Sequence, residues 1–385
     1  METAHVFIVD INTFKYHLEY LFAGTGAKDT VIDFNGGTET LLHYTTENNL
    51  LGMIADSQRV RRGDKVFFYL QQNTSEGVFE GKFYGIFKAK EDLSFLDNND
   101  RGQFLQGELQ KSLTFRTLIE PFQVYSKGVT EWEALDEIKY IRSPQQMLWS
   151  LIYRKLKGNR GNTMITIYET ERLAKLIRDK NARQPLAGSQ FTFDFDTHEI
   201  RRGDHNNNYT GRKEVINILP RLIDKYRHGK AFESHLQAYI VQNIGRHTNI
   251  SLDACLMQDG SEFEWLGNEV SCGVGMQRID VMLSFTTGST RRIVPMELKA
   301  VEASQINVIQ VQRYVDWLEQ YYIPNRISDI QPVLIAKKTT DKTSSNYKMV
   351  FQTFKAFDER NPRCHPLRYI EFEVIDNSLK FDVVK

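Results

Sequence analysis

Sixteen residues separate Asp280 from the run Glu297-Leu298-Lys299, and the two acids and the lysine are residue types that could together hold a divalent metal with a cation beside it. Two carboxylates can share a hard divalent cation, and an ammonium beside them can hold a water or offset charge building on an oxygen. The local pattern predicts that the three meet. Arg278-Ile-Asp-Val-Met-Leu-Ser-Phe285 and Arg292-Ile-Val-Pro-Met-Glu-Leu-Lys299 are apolar-rich runs around a short, Gly-containing polar turn, which reads as an antiparallel hairpin. Pairing Phe285 with Arg292 places Asp280 directly across from Glu297. Opposed residues share a face, and Lys299, two residues on, returns to it. Carboxylates held face to face repel unless a cation lies between them. The same residues also fit an exposed ion-pair cluster in which Lys299 and Arg278 neutralise the acids. Val281, Leu283, Val294, Met296 and Leu298 are core-like under either reading.

The elements that must position these groups follow from periodicity. Ala231–Ile244 places Phe232, Leu236, Tyr239, Ile240 and Asn243 at helical spacing, with Glu233 near its start. A second helix over Ala303–Tyr321 carries Gln310 and Tyr314 one turn apart, and Val333-Leu-Ile-Ala336 reads as a strand. Cys272, near the hairpin, reads as a buried small residue. The order is helix, strands, helix, strand.

With Gln310-x-x-x-Tyr314 following Asp280-x16-Glu297-x-Lys299, residues 229–340 resemble the PD-(D/E)xK nucleases. The similarity is to the NucS-like branch, in which a strand ending in Glu-x-Lys leads into a Gln-x-x-x-Tyr helix. Ile279 stands where the family name has proline. The resemblance implies a restriction-endonuclease-like α/β core with a mixed sheet over 229–385 and hydrolysis of a phosphodiester. Asp280, Glu297 and the backbone carbonyl of Leu298 would hold Mg²⁺, with Mn²⁺ as a substitute, and Lys299 would hold the attacking water. Glu233 matches an upstream acidic position of the family. Gln310 would position Lys299 or a phosphate, and Arg278 is a candidate phosphate contact.

The first part of the chain, 1–178, is richer in short strands. His5–Asp10, Gly63–Leu70, Gly81–Lys90 and Leu113–Ile119 read as strands, and Pro144–Leu156 and Glu169–Arg178 as helices. These strands are too short and closely spaced for a doubly wound parallel sheet, so a small β-barrel with flanking helices is expected. The stretches beginning at His5, Arg62 and Gly81 resemble the PUA-like superfamily in its EVE and YTH branches. That resemblance implies a nucleic-acid reader that draws a base into an aromatic-walled pocket. Candidate walls are Phe22, Tyr69, Trp132 and Trp149, with Asp10 and Asn12 reading a base edge. Phe22 falls where the YTH pattern carries a cage tryptophan. Arg59, Arg61 and Arg62 are candidate phosphate contacts.

Between them, 179–228 is polar and reads as a basic linker, partly helical near Lys213–Arg227. From Arg154 to Lys230 there are 17 Lys/Arg against 9 Asp/Glu, although the whole chain balances at 49 each, so only the local excess suggests a polyanion. Cys255, Cys272 and Cys364 are too few and scattered for a disulfide framework, which points to a reduced, cytoplasmic setting. No apolar run approaches the ~20 residues of a membrane span. The expectation is a Mg²⁺-dependent endonuclease acting on double-stranded DNA, in restriction or phage defence, with the first domain reading a plain or modified base. Cutting both strands calls for a homodimer. A NucS-like repair nuclease and a non-cleaving nucleic-acid-binding protein are the alternatives.

Overall fold

The computed structural model describes residues 3–26, 32, 44–98, 102–142, 162–204, 207–257, 260–272, 277–322 and 329–385. The chain is mixed α/β in two compact units, the described part of the first ending at Ile216 and that of the second beginning at Asn217.

In the first unit a curled sheet is built from β1 (Ala4–Val9), β2 (Phe22–Thr25), β3 (Lys65–Leu70), β4 (Lys82–Ala89), β5 (Phe95–Leu96), β6 (Phe115–Pro121), β7 (Val129–Thr130) and β8 (Thr163–Ile165). The main path runs β2-β6-β4-β3-β1-β8, with β5 on β6 and β7 on β4. β1 and β3 run parallel, joined through the helices Ile11–Glu19 and Tyr44–Gln58. The unbroken apolar run Val66-Phe-Phe-Tyr-Leu70 is explained by burial on both sheet faces. Phe68 and Leu70 join a core with Phe14 and Tyr84, whereas Phe67 and Tyr69 pack with Leu173, Ala174 and Ile177 of the Ile167–Lys180 helix. Thr166 and Glu169 start that helix with a reciprocal capping box.

The segment 179–228 is not a linker. β9 (Phe191–Asp194) and β10 (Glu199–Arg202) form a hairpin whose Phe191, Phe193 and Ile200 sit in the first unit's core. Leu219–Arg227 is a helix of the second unit. The polar residues flanking the hairpin hid three core side chains.

The second unit holds one six-stranded mixed sheet in sequence order: β11 (Glu262–Ser271), β12 (Arg278–Thr287), β13 (Thr290–Lys299), β14 (Val333–Lys337), β15 (Arg368–Ile375) and β16 (Ser378–Val383). β13, β14 and β15 are parallel neighbours, so each step needs a crossover, supplied by the helices Gln305–Trp317 and Ser345–Arg360. The helix Glu233–Asn243 precedes the sheet. The expected helices and the Val333 strand are therefore present with shifted ends. The helix expected over Pro144–Leu156 lies outside the described residues. Among the described residues, no helix is long and apolar enough to cross a membrane.

Candidate active site

The β12–β13 ladder pairs Phe285 with Arg292 and Val281 with Met296, the register read from the hairpin pattern. Carried one position beyond Val281 and Met296, that register sets Asp280 beside Glu297, close enough for the Glu297 charge to act on Asp280. Glu297 and Lys299 are also laddered to Leu334 and Ala336 of β14, which holds the Glu-x-Lys run inside the sheet. Glu297 is 1% exposed, an unusual place for a carboxylate without partners.

Its partners come from three elements. Lys299 Nζ lies 2.7 Å from Glu297 Oε1 and 3.3 Å from Glu233 Oε1 at the start of the preceding helix. The Tyr314 hydroxyl, on the crossover helix, donates to Glu297 Oε2. Asp280 Oδ2 accepts the Leu298 backbone N–H at 2.8 Å, which fixes the aspartate against the neighbouring strand. Gln237, one turn along the helix from Glu233, donates from Nε2 to the Asp280 backbone carbonyl at 2.9 Å. Gln310 accepts a hydrogen bond from Asn307 at 3.4 Å.

Burial raises the Asp280 pKa well above the usual aspartate range, and the Glu297 charge raises it further. The Leu298 N–H and Lys299 offset part of that rise. Burial also raises Glu297, while Lys299 and the Tyr314 hydroxyl pull it back without cancelling the shift. For Lys299, burial acts downward, but Glu297, Glu233 and Asp280 together lift its pKa, so the ammonium stays charged. Burial, then the Glu297 charge, raises the Tyr314 phenol, which remains a neutral donor. The result is a carboxylate pair, one buried and one part-buried, with an unfavourable self-interaction and one captive cation.

That donor set fits a hard divalent ion. A cation between Asp280 and Glu297 would relieve the repulsion that lifts their pKa values. Among the described residues, no three His, Cys, Asp or Glu side chains gather into a ready-made metal group. Mg²⁺ suits such a place, because it binds through one or two carboxylates and keeps several waters.

The remaining candidates are dispersed. Arg278, half-buried, is engaged by Glu269 at 2.5 Å. Arg59 and Arg61 are 1% and 4% exposed, which corrects their reading as phosphate contacts. The Arg59 guanidinium binds Asp56 at 2.8 Å and the Asn162 carbonyl at 2.9 Å. Only Arg62 of the three is exposed. Phe22 and Tyr69 are fully buried in separate apolar clusters, so neither walls an open pocket. Phe22 packs instead over the Arg116 guanidinium, 5.0 Å from the ring centre. Asp10 caps the Ile11–Glu19 helix through Thr13 and contacts Lys111, and Asn12 donates to Glu76 at 3.0 Å. Trp132 is 66% exposed and is the described aromatic candidate open to a ligand. Trp149 lies outside the described residues. Cys272 is buried, and none of the three cysteines is in a disulfide.

Sequence reasoning missed Gln237 and the Tyr314–Glu297 bond. Gln237 had one available signal, its i+4 spacing from Glu233, which places both on one helix face. Neither a family model nor a curated protein matches this chain.

Proposed function

We propose that this chain is a Mg²⁺-dependent DNA endonuclease of the PD-(D/E)xK type, acting in restriction or phage defence. The observation that carries the reading is the hairpin register, Val281 on Met296, which puts part-buried Asp280 beside buried Glu297, while Lys299 bridges Glu297 and Glu233. The second unit runs three helices, three strands, helix, strand, helix and two strands, and it supports the reading in that Glu-x-Lys ends its third strand and Tyr314 lies on the next helix.

Asp280, Glu297 and the Leu298 carbonyl would hold the cation. When bound it would polarise the scissile phosphate and lower the pKa of a water. The chain's own residues do the positioning. Lys299, kept cationic by its acidic neighbours, meets negative charge gathering on the phosphoryl oxygens. Tyr314 orients the Glu297 carboxylate, and the Leu298 N–H orients Asp280. Glu233 is the second carboxylate on Lys299, after Glu297.

The first unit is the recognition half in this proposal, a PUA-like reader of a plain or modified base. The curled sheet supports that, and exposed Trp132 offers a stacking surface. Double-strand cutting then requires two copies, so the working enzyme is a homodimer on double-stranded DNA.

The test is a cleavage panel over plain, methylated, hydroxymethylated and glucosylated DNA with Mg²⁺ or Mn²⁺. Cleavage of at least one substrate, abolished by Glu297→Gln, is expected. No cutting with either metal, or an undiminished rate in Glu297→Gln, would overturn the assignment.

A further inference from the structure

The β11–β12 ladder places Asn268 opposite Val281 and Val270 opposite Ile279. The residue between, Glu269, is therefore abreast of Asp280 on the side away from Glu297. Three acidic positions, Glu269, Asp280 and Glu297, stand in one row across three adjacent strands. Glu269 is unlike an ordinary strand residue in two ways. Its φ is 52°, in the left-handed region that non-glycine residues rarely enter and that clusters at functional sites. Its carboxylate is also clamped between two groups that adjoin Asp280. Arg278 Nη1 donates to Oε2 at 2.5 Å, and Gln237 Nε2 donates to Oε1 at 3.3 Å. The same Gln237 nitrogen reaches the Asp280 backbone carbonyl at 2.9 Å.

We infer that Glu269 is a positioning residue of the metal site: with Arg278 and Gln237 it locks the β12 strand end so that the Asp280 carboxylate faces the cation. The inference rests on the metal-site reading above and extends it to a strand that the hairpin pattern does not include. Glu269 itself is not a ligand in this scheme, because Arg278 and Gln237 occupy both its oxygens. The arrangement is an outer hydrogen-bonded shell of the kind that orients ligating carboxylates, whose loss commonly costs 10–100-fold in metal affinity.

A bare charge effect predicts a different pattern, and three substitutions separate the two. Glu269→Gln removes an anion, Arg278→Gln removes a cation, and Gln237→Met changes no charge. Mn²⁺ affinity of the full chain, measured by titration calorimetry and by the Mn²⁺ electron paramagnetic resonance signal, is the readout. Positioning predicts that all three variants bind Mn²⁺ about 10–100-fold more weakly. It also predicts a lower kcat with the KM for DNA little changed in Gln237→Met. A charge effect alone would weaken Glu269→Gln, strengthen Arg278→Gln and leave Gln237→Met unaltered, which would overturn the inference. Wild-type affinity in Gln237→Met and Glu269→Gln would also overturn it. If the wild type binds Mn²⁺ and the variants lose it, yet no DNA is cut, the nuclease reading fails while the positioning role stands. If the wild type binds no Mn²⁺, both fall.

Discussion

Under the proposed function, Asp280 is the residue at which activity and stability are opposed. Its pKa is raised in the folded state by burial and by the Glu297 charge, so above the usual carboxylate range the native protein binds more protons than the unfolded chain. Stability therefore falls as pH rises from that range through the raised value. Asp280→Asn removes the like charge and retains an oxygen for the Leu298 N–H. In EDTA at neutral pH its Tm should rise, by about 2–4 °C for each kcal/mol relieved, with no gain at low pH, and cleavage should be lost. Unchanged melting in calorimetry at pH 7.5 would contradict the buried-pair account. Tyr314 makes a second residue-scale prediction. Its hydroxyl helps to hold the Glu297 pKa down, so Tyr314→Phe should move the acid limb of the pH–rate profile to higher pH. At neutral pH the rate should fall about 10–100-fold. Arg59 and Arg62 are neighbours in sequence with opposite expected outcomes. Arg59→Ala takes the guanidinium away from the buried Asp56 carboxylate and should cost about 3–5 kcal/mol in denaturant melts, whereas Arg62→Ala should leave stability within about 0.5 kcal/mol.

At the scale of elements, the hairpin is the part of the site most fully legible in advance. Its register depends on a local turn and a two-residue repeat, and both are written in consecutive residues. Gly288 opens the two-residue turn with φ 59°, and a Cβ added there would meet nothing within 4 Å. Gly288→Val should accordingly lose about 1–2 kcal/mol from backbone conformation alone. The Asp280–Glu297 register, and hence Mn²⁺ affinity, should persist, and paired melting and titration experiments would check both halves. Other elements were readable in kind but not in role. Gln310 and Tyr314 sit on the expected crossover helix, yet the tyrosine reaches Glu297 while Gln310 is bonded to Asn307. Which of two polar residues on one helix meets the sheet depends on how the helix is rotated against it, and spacing along the helix leaves that open.

For the whole molecule, the proposed function together with the break between Ile216 and Asn217 predicts that cutting and recognition are separable. Residues 217–385 expressed alone should retain metal-dependent DNA cleavage while losing discrimination among differently modified substrates, which the same cleavage panel would measure. Loss of all cleavage in a folded 217–385 fragment would show that the first unit contributes to chemistry. The sequence by itself determined the α/β character, the chief secondary elements and the meeting of Asp280 with Glu297, because each depends on residues near one another along the chain. The tertiary structure alone decided that Arg59 and Tyr69 are interior, that Phe191, Phe193 and Ile200 belong to the first core, and that Glu269 joins the acidic row. Burial and cross-strand neighbours are set by segments distant in sequence, and a residue's type does not reveal which of them will cover it.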